Sequence, residues 1–368
     1  MNPNFVAVEV NSNEAGKLIT TNNEQSYIPK LAVVVLSYNG KSLLEKFLPP
    51  IIATKTSYSE IYVVDNASTD GTYEFIQQNF PQVKLIRLEI NKGFTNGYVQ
   101  SLPQIKAEYY ALVSSDVEVS EGWIDPVINL MDSDKSIGLV QPKIKSYNQK
   151  THFEYSGAGG AYIDTFGYPF CRGRMFFTIE EDKGQYDDIV ETFWCSGACM
   201  FIRADVYHYL NGFDNDYYAH MEDIDLSWRA KNAGYKVMIC PQSVVYHVGG
   251  HIISYGSPPK IFRNYKNGLI MMVKNLPDGQ IWWKIPFRIL LDMVAGLRAL
   301  LTGNPKELQA IFKAHIEFVS GFRQWMKKRK LAKTQVKNPN LKGVYPRSVV
   351  RQYFLAAKRK FTDLDWKA

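Results

Sequence analysis

Four short apolar runs recur in the first third of the chain, and each stops at a small polar cluster. Leu31–Leu36 ends at Ser37-Tyr38-Asn39-Gly40, and Ile61–Val64 ends at Asp65-Asn66. Val83–Leu88 is followed by Asn91-Lys92-Gly93, and Tyr109–Val113 ends at Ser114-Ser115-Asp116. Unbroken apolar runs of this length mark strands covered on both faces. Between them lie stretches with helical spacing, such as Leu43, Leu44, Phe47 and Leu48, with a break expected at Pro49-Pro50. Strands alternating with helices predict an α/β chain with a mostly parallel central sheet and right-handed crossovers. Ligands of such sheets sit at the carboxyl ends of the strands. Tyr38, Asp65 and Asp116 all fall there.

The rhythm is lost over 150–190, where glycines mark loops or short antiparallel strands, and returns at Thr192–Ile202. Ile224–Ala233 reads as a helix closed by Gly234, Lys236–Cys240 as a final strand, with Val244–His251 after it. Four units are expected: a loose arm over 1–30, a catalytic body over 31–260, a helical extension over 261–326 and a basic tail over 327–368. From Gly321 onward, 14 lysines and arginines face two aspartates, so this stretch carries +12 of a formal charge of +7 and the remainder carries −5. Such a tail points to an anionic membrane surface as partner rather than nucleic acid. Ile281–Leu301 is apolar, but it contains Lys284, Arg288, Asp292 and Arg298, with Pro286 interrupting it. That is too much charge for a membrane span; either an interfacial helix with Trp282 and Trp283 at headgroup level or a helix packed on the body fits. The polar start of the chain lacks a signal peptide's apolar segment, and four cysteines suit free thiols in a reducing cytoplasm.

Two phosphate-loop candidates fail. Gly40-Lys41-Ser42 has Val35 where the loop needs its first glycine, and Gly157-Ala158-Gly159-Gly160 does not join a buried strand to a helix. The strongest chemical signal is Glu222-Asp223-Ile224-Asp225, three carboxylates within four residues, with Arg229 one turn after Asp225 and expected to pair with it. Their mutual repulsion is unfavourable unless a metal ion, a helix N-terminus or a proton-transfer role offsets it.

The motifs, taken in order, run as follows: Val34–Asn39; Val63–Thr72; Asn91–Gly97; Ser114–Val119; Ser196–Arg203 before Gly212-Phe213-Asp214; then the acidic cluster and His247. This series resembles the family-2 inverting glycosyltransferases with a GT-A fold (the nucleotide-diphospho-sugar transferase fold), especially the rhamnosyltransferase-like members, over about residues 31–270. The resemblance implies transfer of a sugar from a UDP- or dTDP-sugar donor to a glycan or lipid-linked glycan acceptor in cell-surface polysaccharide synthesis, at the inner face of the cell membrane. It implies a nucleotide site of Ser37, Tyr38, Asp65, Asn91, Gly93, Asn96 and Ser115, with Asp65 accepting from a pyrimidine N–H. Asp116 matches the last acid of a motif that binds magnesium or manganese, with His247 beside the metal or diphosphate. Ser114 stands where many relatives carry an earlier acid. Asp223 corresponds to the general base, with Glu222 and Asp225 expected to raise its pKa by repulsion, and Arg263 and Asn264 to lie near the diphosphate. A catalytically inactive, glycan-binding or membrane-scaffold relative is the alternative, and a sugar-nucleotide pyrophosphorylase is excluded by the lack of a basic glycine-rich loop after the first strand.

Overall fold

The computed structural model describes residues 28–249 and 256–366, so nearly all of the expected N-terminal arm, and His251, lie outside the described residues. The strands are β1 Leu31–Ser37, β2 Ser59–Asp65, β3 Lys84–Arg87, β4 Tyr109–Ser114, β5 Val117–Val119, β6 Ile137–Ser146, β7 Ala161–Asp164, β8 Pro169–Cys171, β9 Arg174–Met175, β10 Thr178–Ile179, β11 Val190–Glu191, β12 Cys199–Arg203, β13 Lys236–His247 and β14 Val344–Tyr345. The helices are α1 Lys41–Ala53, α2 Thr72–Asn79, α3 Phe94–Ser101, α4 Asp125–Ser133, α5 Ala204–Tyr209, α6 Glu222–Asn232, α7 Pro258–Asn275, α8 Ile281–Leu301, α9 Pro305–Ser320, α10 Phe322–Lys333 and α11 Val349–Phe354.

The main sheet is mixed, in the order β11-β13-β6-β12-β4-β1-β2-β3, with β5 on β13. Its β4-β1-β2-β3 part is parallel, which brings the ends of β1, β2 and β4 to one edge. β12 enters antiparallel between β4 and β6. Alternation along β1 divides its side chains between two cores. Leu31, Val33 and Val35 pack on one face, and Ala32, Val34 and Leu36 on the other. Each fully buried valine or leucine of this kind contributes about 1.5–3 kcal/mol. A second sheet of short strands, β10-β9-β8-β7-β14, fills the region that had lost its rhythm.

Three local expectations change. Helix α1 continues through Pro49-Pro50 and α8 continues through Pro286. Pro49 and Pro286 are exposed and Pro50 half-buried, so carbonyls that lose an N–H partner there lie on the outer side of the helix. β13 is one long strand with an irregularity between Cys240 and Val244, rather than two. The C-terminal stretch is folded onto the body. β14 pairs with β7, Tyr345, Val349, Tyr353, Phe361 and Leu364 are buried, and α10 runs through the expected boundary at 326/327. Much of its charge is engaged: Arg329 donates to the Val273 and Leu276 carbonyls, and Lys328 pairs with Asp214 and Asp216. Among the described residues no helix is long and apolar enough to cross a membrane.

Candidate active site

A cavity of about 290 Å³ lies where β4, β13 and the start of α6 meet. Asp116, Glu222, Asp223 and His247 line it, together with Phe94, Ser114, Trp194 and Gly197. Acids more than a hundred positions apart in the chain thus share one space.

Asp223 is half-buried in the first turn of α6. Its Oδ2 accepts from the Gly197 amide at 3.0 Å and its Oδ1 from the Ile224 amide at 2.9 Å. Burial raises its pKa to about 6, against the opposing pull of those two N–H groups. Glu222 is more deeply enclosed, and its Oε2 has no hydrogen-bond partner. Burial, then the Asp223 charge, pushes Glu222 well above the carboxylate range. Asp225 does not take the part expected of it. It points away from the cavity into a cage of four donors: Tyr217 O–H at 3.0 Å, Arg229 Nε at 2.8 Å, Lys274 Nζ at 2.9 Å and Asn275 Nδ2 at 2.8 Å. Burial pushes its pKa up, but Lys274 and Arg229 more than offset this and hold it below the usual range. The elevated pKa of Asp223 therefore comes from burial rather than from repulsion by Asp225.

The loop that delivers Asp223 is strained. Tyr218, His220 and Met221 all have positive φ, at 62°, 71° and 71°. Non-glycine residues adopt this region at a cost and persist there only when their surroundings compel it. The compulsion comes from α7. The fully buried Asn267 directs Nδ2 at the carbonyls of Tyr217 (3.0 Å), Ala219 (3.1 Å) and His220 (2.8 Å). Two turns further on, at Lys274 and Asn275, the same helix supplies two of the donors to Asp225. Gly93 supports the loop from the other side: a Cβ there would come within 2.6 Å of the Tyr218 ring.

Across the cavity, Asp116 Oδ2 lies 3.4 Å from His247 Nε2, and His247 Nδ1 lies 3.5 Å from Glu154 Oε1. Burial alone would lower the His247 pKa; Asp116 and then Glu154 reverse this and lift it to about 10. Burial likewise opposes ionisation of Asp116, and His247 outweighs it, aided by a Ser114 hydroxyl hydrogen bond. Asp116 Oδ1 is buried without a hydrogen-bond partner. An imidazole between a carboxylate-lined cavity and a second carboxylate is a common setting for a metal ligand, because the outer acid orients the ring. Once the Nε2 proton of His247 is displaced, the donor set fits a divalent cation with Asp116 Oδ1 and His247 Nε2 as protein ligands. It is small, and no cluster of three or more potential ligands occurs among the described residues.

The expected nucleotide residues gather beside this cavity rather than along its wall. Ser37, Asp65 and Ser115 are buried at or just past the ends of β1, β2 and β4, while Tyr38 is exposed. Asp65 Oδ1 accepts from the Ser68 amide at 3.1 Å; its buried Oδ2 has no hydrogen bond and lies 3.7 Å from Arg87. Asn91 Oδ1 accepts from the Gly93 amide at 2.8 Å and from Asn66 Nδ2 at 3.2 Å. Asn96, on α3, is tied to Gln100 of its own helix. Asn264 lines the cavity, while Arg263 stacks on Tyr218 with 4.7 Å between guanidinium and ring centre. Several lining residues carried no legible signal. Arg174, stacked 3.2 Å above the Tyr155 ring, comes from the second sheet, and Lys260 from α7.

Residues 29–265 match the family described as "Glycosyltransferase like family 2". The chain belongs to this family, and it is a glycosyltransferase. It is 25% identical over 288 residues to the N-acetylglucosaminyl-diphospho-decaprenol L-rhamnosyltransferase of Mycobacterium tuberculosis, covering 74% of this chain and 92% of that protein. That likeness accords with the rhamnosyltransferase-like character expected from the motifs. A polypeptide N-acetylgalactosaminyltransferase 3 from Taeniopygia guttata is 24% identical, over 60% of this chain and 38% of that protein. In fold, the chain is similar to GalNAc-T7 crystallised with UDP, GalNAc and Mn2+ (TM-score 0.52, 16% identity, 85% of this chain and 59% of that one). It is also similar to S. aureus TarS 1-349 in complex with UDP (TM-score 0.50, 14% identity, 82% and 91%). These likenesses establish a GT-A glycosyltransferase fold.

Proposed function

We propose that the chain transfers a sugar, with inversion, from a UDP- or dTDP-sugar to a hydroxyl of a glycan or lipid-linked glycan in cell-surface polysaccharide synthesis. The observation that carries this is the convergence of Asp116 and Asp223 on one cavity. Asp223 takes the proton of the acceptor hydroxyl as that oxygen attacks the anomeric carbon, and the bond to the diphosphate breaks on the opposite side. With a pKa near 6 it is ionised at neutral pH yet more basic than an ordinary aspartate. Burial and the Asp223 charge push the Glu222 pKa up, so it opposes ionisation of the base less than an ordinary carboxylate would.

Asp116 and His247 would hold magnesium or manganese, with Glu154 orienting the imidazole. When bound, such a cation supplies positive charge to the departing diphosphate. Ser37, Tyr38, Asp65, Asn91, Gly93, Asn96 and Ser115 form the nucleotide side, and Asp65 Oδ2, which lies near Arg87 but accepts no hydrogen bond, is the acceptor for a pyrimidine N–H. Residues 31–260 make up the catalytic body, and the following helices brace its acidic loop. The diphospho-decaprenol in the name of the mycobacterial relative supports a lipid-linked acceptor, and we place the enzyme at the inner face of the cell membrane.

The test is nucleotide release from a panel of UDP- and dTDP-sugars, with manganese or with a chelator, for wild type and Asp223→Asn. Release by wild type should require the metal, and the variant should lose roughly 10²–10⁴-fold in kcat. Undiminished release by the variant removes Asp223 from the base role. Silence of the wild type on every donor would favour the inactive, glycan-binding alternative, to which Ser114 in place of an acid lends support.

A further inference from the structure

The helical layer that braces the acidic loop has an outer face that nothing in the fold covers. Along α8, the side chains of Trp283, Phe287, Leu290, Val294, Leu297 and Leu301 recur every three or four residues, and all are exposed. Trp282 adds a second indole at the N-terminal end, 65% exposed. Helix α9 packs against α8, where Gly296 meets Leu308 and Ile311, and presents Phe312, Ile316 and Val319 outward. The patch does not stop at these helices. Arg298 on α8 lies over the rings of Phe177 (5.7 Å) and Phe354 (5.3 Å), and Phe177 and the neighbouring Leu355 are 73% and 81% exposed. An apolar stripe about 30 Å long on one helix, widened by a second, exceeds what a soluble surface leaves uncovered without a partner.

The charges indicate which partner. Arg298, Lys306 and Lys313 are exposed on the same two helices, and among the described residues none of them is paired with a carboxylate. The acids that reach the surface of these helices, Glu307 and Glu317, are only half-buried, and Glu317 is paired with Lys266 at 3.6 Å. A two-fold pairing of this face with itself would gather like charges. An anionic lipid surface complements them, with the indoles at headgroup depth. The patch is also joined to the cavity through one hairpin: Arg174 of β9 lines the cavity, and Phe177, three residues on, lies in the patch.

We propose that the outward face of α8 and α9, edged by Phe177 and Leu355, rests on an anionic bilayer with its apolar side chains inserted to a shallow depth. The cavity mouth is thereby held close to the lipid surface. This deepens the lipid-linked acceptor reading and rests on it only for its purpose. It keeps the interfacial reading of Ile281–Leu301, extends it to α9 and edges it with Phe177 and Leu355, and drops the rest of the C-terminal segment, which is folded into the body.

The test compares the full chain with a Leu290→Gln/Val294→Gln/Leu297→Gln variant, all exposed positions, in sedimentation with vesicles. The vesicles are phosphatidylcholine alone or phosphatidylcholine with phosphatidylglycerol. Wild type should sediment with the anionic vesicles and its tryptophan emission should shift to the blue. The variant should partition about tenfold less, with unchanged nucleotide release from a soluble donor. Equal sedimentation of both forms, or none by wild type, overturns the proposal. So does a vesicle-free dimer of the wild type that the variant abolishes, since a second copy then covers the face. Loss of nucleotide release in both forms would count against the transferase reading and leave the docking result intact.

Discussion

The two sides of helix α6 carry acids two residues apart with opposite fates. On the cavity side, Asp223 has only two amide N–H groups to steady it, and its pKa rises to about 6. On the α7 side, Asp225 receives two cations and two neutral donors, and its pKa falls below the usual range. The first carboxylate is set up to exchange a proton; the second is set up never to do so. A cluster of acids is therefore no unit of function. Compensating charge decides which member remains available for chemistry, and here that charge comes from a helix outside the sheet.

The contrast can be broken most forcefully at Asp225. Changing Asp225→Ala leaves Lys274 and Arg229 buried without their shared anion and should destabilise the fold by about 3–5 kcal/mol in urea unfolding. Activity per folded molecule should change far less than in Asp223→Asn. Because the folded pKa of Asp225 is depressed, its contribution is complete above the unfolded value of 3.8 and is lost on acidification below it. The variant should therefore lack that part of the acid sensitivity. A smaller effect is expected from Asn267→Leu, which removes the donor shared by three loop carbonyls, at a cost of about 1–3 kcal/mol. Its signature is a fall in kcat with an unchanged KM for the donor, since only the delivery of Asp223 is disturbed. The smallest effect separates burial from repulsion. The kcat/KM of wild type should rise with pH through about 6 as Asp223 ionises. Glu222→Gln should leave that midpoint nearly in place, because burial rather than the Glu222 charge sets it; a drop toward 4 would restore repulsion as the cause.

The parallel half of the sheet could be read directly from the chain, since apolar runs such as Leu31–Leu36 and Tyr109–Val113 carry the signal of two-sided burial within themselves. The pairing of Arg229 with Asp225 was also legible, because helical geometry sets partners four residues apart. The bracing of the Tyr217–Met221 loop was not. Asn267 lies about fifty positions away, on a helix whose sequence advertises only amphipathicity. The same holds for Arg174 over Tyr155, which sits among strands two or three residues long that have no periodicity to detect. The basic composition of the last forty residues suggested a tail drawn to an anionic membrane, but composition does not report that Tyr345, Val349 and Phe361 close an aromatic core with β7 and β8.

Local chemistry, then, settles the strands, the turns that end them, and the set of residues capable of acid–base or metal-ligand roles, because those properties depend on neighbours within a turn or a pleat. Assigning each acid its task required the packed molecule. Burial and ion pairing join Asp116 to His247, Asp225 to Lys274, and Asp223 to the Gly197 amide across long stretches of chain, and a charge takes its strength from whatever surrounds it in space.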